Sequence, residues 1–168
     1  METEADKAAA EKMRKFSDTY AASMPPDNID GSFVRQAVLT SVTAETDTTN
    51  AKSTYTIAVP PLLSNNRVTK NMHGGAIATF FDMATSMAVL GCRNAGTDSG
   101  VTRNLNVTYL RPPVEGETIL MESEILQLTK RLVTVRGVMK RASDGTVLAI
   151  CQHDKYRSGR PPPYMAKI

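Results

Sequence analysis

His73-Gly74-Gly75-Ala76-Ile77-Ala78-Thr79-Phe80-Phe81-Asp82-Met83-Ala84-Thr85-Ser86-Met87-Ala88-Val89-Leu90 lies near the middle of the chain, and its reading decides the fold. On a 3.6-residue period its Ala, Ile, Phe, Met, Val and Leu side chains fall on every face, which predicts a core helix over 74–92. One carboxylate, Asp82, sits near the middle of that helix, and a buried charge is costly unless it is paired or used. Gly74 and Gly75 open the helix, where the first-turn N–H groups lack intrahelical acceptors and the dipole is positive, a setting suited to a developing oxyanion. A donor pair and a lone acid point to hydrolysis. Gly74 and Asp82 are eight residues apart, about 12 Å along a helix axis, so one helix cannot bring both to one carbonyl. A second copy, antiparallel across a two-fold axis, would set Asp82 of one chain beside Gly74 of the other and give two shared sites.

Outward from the helix the pattern is strand-like. Phe33 to Ala44 and Thr54 to Pro60 are rich in Val, Thr, Ile and Tyr and read as a hairpin about the polar TDTTNAK turn, with Pro60-Pro61 stopping the second strand. Further strands are predicted near 101–109, 117–128, 131–142 and 146–157, broken at Arg111-Pro112-Pro113 and at Asp144-Gly145. Together these give an α+β class. The N-terminal METEADKAAAEKMRKFSDTYAAS favours a surface helix, without the apolar core of a secretory signal or the acid-poor character of a transit peptide. The expected organisation is a helix and lead-in over 1–32, one folded domain over 33–157 and a Pro-rich extended tail over 158–168.

Several function classes are disfavoured. The 20 basic and 17 acidic residues nearly balance and form no basic block, so nucleic acid is not indicated. Cys92 and Cys151 are the only cysteines and show no metal-ligand spacing, so neither a disulfide framework nor a zinc site is expected and the chain reads as intracellular. Segment 74–92 approaches transmembrane length, but Asp82 and three hydroxyl residues argue against a membrane span.

The pattern resembles the hotdog-fold acyl-CoA thioesterases of the phenylacetic-acid-pathway and Them type. The resemblance runs from Asn66 to Cys92, through His73-Gly74-Gly75 and Asp82, then through Val101 to Pro112 (VTRNLNVTYLRP) and the later strands, about two thirds of the chain. It implies a hotdog fold, an antiparallel five- to six-stranded sheet wrapped around one long central helix, with an extra N-terminal helix. The implied activity is hydrolysis of an acyl-CoA thioester to free acid and coenzyme A. Asp82 would be general base or nucleophile, and the Gly74 N–H, with Gly75 beside it, would polarise the thioester carbonyl across a homodimer interface. A tetramer, as a dimer of dimers, rests on the resemblance alone. No metal and no cofactor is implied, coenzyme A being part of the substrate.

Other positions carry a role and a plainer alternative. His73 either orients the site or serves as a structural hydrogen-bonding residue. The family carries an Asn one residue closer to the His than Asn66 lies here, so Asn66 is the first choice for positioning the water or thioester, and Asn71 competes. Thr102 stands where the family often has a Ser that bonds the nucleophilic water. Lys130 and Arg131, with Arg157 after the last strand, are candidates for the coenzyme A phosphates, though any one of them is as readily a solvated surface residue. Asp82 itself could be satisfied by Thr85 or Ser86. Phe80, Phe81, Met83 and Met87 could line an acyl tunnel or simply be core. Two rivals stand beside hydrolysis, a non-catalytic acyl-CoA-binding protein and a hydratase, for which His153 lacks the local motif. A cytoplasmic location is expected, with a peroxisomal one suggested by the terminal Ala166-Lys167-Ile168.

Overall fold

The computed structural model describes residues 2–25, 27–46, 50–65, 68–92, 96 and 98–159. The elements follow in the order α1 (Glu4–Ser23), α2 (Ile29–Gln36), β1 (Val38–Thr43), β2 (Lys52–Ala58), a 3-10 turn (Pro61–Leu63), α3 (Gly74–Leu90), β3 (Val101–Tyr109), β4 (Thr118–Leu128), β5 (Leu132–Arg141) and β6 (Val147–Tyr156). All neighbouring strands are antiparallel and form one six-stranded sheet in the order β1-β2-β4-β5-β6-β3. α3 packs against this sheet, α2 packs on α3, and α1 packs on α2, α3 and β1. The expected α+β hotdog arrangement is present, with six strands. Pro112-Pro113 and the Asp144-Gly145 turn fall between strands, as the breaks in the pattern predicted.

The inward phase of each central strand carries the core. In β2 the alternation buries Ser53, Tyr55 and Ile57, and in β4 it buries Ile119, Met121, Ser123 and Ile125. Phe80 and Phe81, both fully buried on α3, fill the space above them. Gly137 of β5 lets the helix come close: a Cβ there would lie 2.6 Å from Cys151 Sγ and 2.8 Å from Phe81 Cδ1. Phe80 and Phe81 are therefore core residues, and neither lines a cavity beside Asp82.

One prediction is corrected at its start. Residues 33–36 complete helix α2 and do not begin a strand, so the expected boundary at residue 33 cuts a helix. Asn28 caps that helix, its Oδ1 accepting from the Gly31 N–H at 3.0 Å. Phe33 then meets Phe80 edge-on at a centroid distance of 5.1 Å. The strand preference of Phe33 and Val34 is overridden because a short amphipathic helix puts both against α3. The N-terminal region thus holds two helices, joined through the Tyr20 hydroxyl, which donates to Asp30 Oδ2 at 3.2 Å.

Candidate active site

The helix reading needs one correction. α3 is not enclosed on every side, because Gly75, Ala78, Thr79, Asp82 and Ser86 form an accessible stripe at three- and four-residue spacing. The Asp82 side chain is 40% exposed. Its neighbours are polar. Thr102 Oγ1, at the start of β3, donates to Asp82 Oδ1 at 2.8 Å. Lys155 Nζ, from β6, lies 3.8 Å from the same oxygen and donates to Ser86 Oγ at 2.7 Å. Lys155 is almost wholly buried, which lowers its pKa, while the Asp82 carboxylate acts against that shift.

His153 lies behind Thr102 and is fully buried. Its Nδ1 is 2.6 Å from Thr85 Oγ1, and its Nε2 is 3.0 Å from Thr102 Oγ1 and 3.4 Å from Asp82 Oδ1. Burial pushes the imidazole down to about 4, Lys155 adding to the shift and Asp82 opposing it. A neutral ring has one N–H. The Thr102 hydroxyl donates to Asp82 and the Thr85 hydroxyl to the Phe81 carbonyl, so the ring's single N–H can serve only one of these two hydroxyl oxygens. The Thr102 hydroxyl, with His153 behind it, holds the carboxylate as an acceptor facing the open side of the helix.

A stability dependence follows from the buried imidazole. In the unfolded chain it takes up its proton near 6.5, but in the folded protein only near 4. Stability present above pH 6.5 is therefore lost as pH falls towards 4, by about 3 kcal/mol in total. His153→Gln removes the titration, so denaturant unfolding of that variant should lose much less stability over this interval than wild type. An equal loss in both proteins would refute the assignment.

The start of α3 is built differently. His73 is its N-cap, and its Nδ1 accepts from the Gly75 N–H at 3.0 Å. The Tyr109 hydroxyl donates to the Gly74 carbonyl at 3.1 Å. The Gly74–Gly75 peptide is thus held at both its oxygen and its N–H. Gly75 is not a free donor, whereas the Gly74 N–H has no hydrogen-bond partner among the described residues. A cavity of about 250 Å³, lined in part by Gly74, Ile77, Tyr109 and Arg111, opens at this point.

Residues 69–148 match the model of the thioesterase superfamily. That match spans 80 residues, just under half of the chain. Acyl-coenzyme A thioesterase 13 of Homo sapiens, like its Mus musculus counterpart, is 32% identical over 85 residues, which are 51% of this chain and 59% of the relative's length. Zebrafish thioesterase superfamily member 2 superposes with a TM-score of 0.70 at 22% identity, covering 85% of this chain and 94% of that one. A Streptococcus mutans protein bound to acetyl CoA superposes at 0.63 and 14% identity, over 83% of this chain and 97% of its own.

Within the matched residues 69–148, Asp82 and Thr102 meet directly, while Gly74, Gly75 and His73 form a separate group at the other end of the accessible stripe. Asn66 lies outside the described residues. Asn71 is half-buried in the turn before His73, where its carbonyl accepts from the Asn65 N–H at 2.7 Å and it bridges to Val114. Lys130 and Arg131 are exposed in the turn between β4 and β5. Arg157 is buried, its Nε donating to the Asp98 carbonyl at 3.1 Å and its Nη1 to that of Thr129 at 3.5 Å. Sequence reasoning did not assign His153 or Lys155 to the Asp82 group. The available signal was strand phase: Cys151, His153 and Lys155 share the inward face of β6, so two ionisable side chains point at α3. Among the described residues no cluster of three or more His, Cys, Asp or Glu could hold a metal ion, and no helix is long and apolar enough to cross a membrane.

Proposed function

We propose that this chain is an acyl-CoA thioesterase that hydrolyses a thioester to free acid and coenzyme A. The observation that carries the reading is the partly exposed Asp82 carboxylate, backed by Thr102, His153 and Lys155, on a helix whose first N–H lacks a partner among the described residues. Asp82 takes a proton from water as the water attacks the carbonyl carbon, and the carbonyl oxygen gathers negative charge at the Gly74 N–H. The tetrahedral intermediate then expels the coenzyme A thiolate, which recovers a proton. Direct attack by Asp82, giving an anhydride that water resolves, uses the same residues.

The distance along α3 requires the Gly74 of a second copy. β3 is an edge strand of the sheet, and exposed Val101, Tyr109 and Leu110 lie on or just after it, a surface suited to antiparallel pairing with its own copy. Coenzyme A is supported as the carrier by the acetyl CoA in the S. mutans neighbour. Its phosphates are assigned to Lys130 and Arg131, because the buried guanidinium of Arg157 is engaged by main-chain carbonyls. Asn66 or Asn71 positions the thioester or its water, and His73 orients the Gly74–Gly75 peptide.

The test is release of free thiol from acyl-CoAs by the wild-type chain. Sustained turnover is the expected result. Binding of acyl-CoA without turnover would favour the non-catalytic binding protein, with the displaced Asn66 as the first suspect.

A further inference from the structure

A cavity of about 230 Å³ opens directly beside Asp82. Asp82, Thr102 and Lys155 line it together with Met83 and Met87 of α3, and Phe16 and Tyr20 of α1 supply an aromatic wall. That aromatic wall is well braced. Phe16 and Tyr20 stack with ring centroids 5.7 Å apart and planes 13° from parallel, and Tyr20 is tied to α2 by its bond to Asp30. Of the helix residues named for an acyl tunnel, only the two methionines reach this space.

We propose that this cavity is the acyl subsite and that it selects compact, uncharged acyl groups, a short aliphatic chain or a single aromatic ring, over long chains and over acyl groups ending in a carboxylate. The inference rests on the thioesterase reading. Its size limit comes from volume: a space of about 150 Å³ accommodates benzene, and at about 30 Å³ for each water-sized group this one takes seven or eight. A longer chain meets the aromatic wall and must leave its remaining methylenes in water. The charge limit comes from the lining. Asp82 and Asp30 supply two carboxylates, and the one cation among the lining residues, Lys155, is already engaged by Asp82 and Ser86. A terminal carboxylate would therefore enter the cavity without a counter-ion.

The experiment measures both affinity, by calorimetry, and kcat/KM for hexanoyl-, benzoyl-, dodecanoyl- and succinyl-CoA, with wild type, Tyr20→Ala and Met83→Trp. Wild type should favour the hexanoyl and benzoyl compounds about tenfold or more over the other two. Tyr20→Ala opens the aromatic wall and should recover most of the deficit for dodecanoyl-CoA alone. Met83→Trp fills part of the cavity and should weaken hexanoyl- and benzoyl-CoA together. Dodecanoyl-CoA bound and hydrolysed as well as hexanoyl-CoA by wild type, or a Tyr20→Ala effect equal for all four, would overturn the subsite while leaving the thioesterase standing. Affinities in the expected order with no thiol released would uphold the subsite and remove the thioesterase.

Discussion

Asp82→Asn lowers kcat by about 1,000-fold, within the 100- to 10,000-fold range that a positioned general base supplies. The substitution keeps the shape of the side chain, and the amide oxygen can still accept from Thr102, so the geometry at the start of β3 is retained. What is lost is the negative charge. Without it the site holds no acceptor strong enough to draw a proton from water, and no nucleophile for the anhydride route. Lys155 keeps its bond to Ser86 but loses its counter-ion, so the variant should also unfold at somewhat lower denaturant. Single-turnover thiol release with matched circular dichroism separates the two effects. Wild-type hydrolysis by a folded Asp82→Asn protein would refute both chemical routes.

Gly74→Pro lowers kcat by about 100- to 1,000-fold with little loss of stability. Gly74 occupies the first position of α3, where proline is tolerated because its missing N–H has no intrahelical acceptor. His73 already has φ −64° and ψ 135°, the extended backbone that a residue before proline requires. A Cβ at position 74 would meet nothing closer than the Tyr109 ring, at 3.7 Å. The substitution therefore removes one donor and little else. Unchanged kcat in Gly74→Pro would exclude this N–H as the carbonyl's partner. The same variant tests the shared site. If Asp82 and Gly74 act across a two-fold axis, mixing Asp82→Asn and Gly74→Pro subunits gives one intact site in each mixed dimer, and about a quarter of wild-type activity at equal amounts. Sites contained within one chain would recover nothing.

Much of this was legible in the sequence, for reasons that differ by residue. The unbroken apolar run around Phe80 and Phe81 could only be a core helix, and the strands after it carried clear period-2 alternation with Pro and Gly between them. Helix α2 was hidden because Phe33 and Val34 suit a strand locally, while the deciding signal was a single capping residue, Asn28. Asp82 was visible as an anomaly, but its surroundings were not: the accessible stripe depends on Ser86 and Thr79 lying above and below it, and the cation and imidazole arrive from β6, about seventy residues later in the chain. The strand register that sets Thr102 opposite Lys155 is a property of the assembled sheet. Arg157 illustrates the same limit, since only the packed structure shows that its guanidinium turns inward to two carbonyls.

The two cysteines have a chemical consequence for the proposed hydrolysis, whose product is a thiol. Cys92 and Cys151 are both buried, and burial raises each from 9.0 to about 12. At neutral pH the reactive thiolate is then about one part in 10⁵, against about one in a hundred for a thiol left at 9.0. Each turnover would set free coenzyme A beside a protein that offers almost no sulfur nucleophile to exchange with it or with an oxidant. Released thiol, and any disulfide that an outside oxidant makes from it, would thus meet a protein that does not trap them covalently, and a colorimetric disulfide reagent would report the product against a nearly silent protein background.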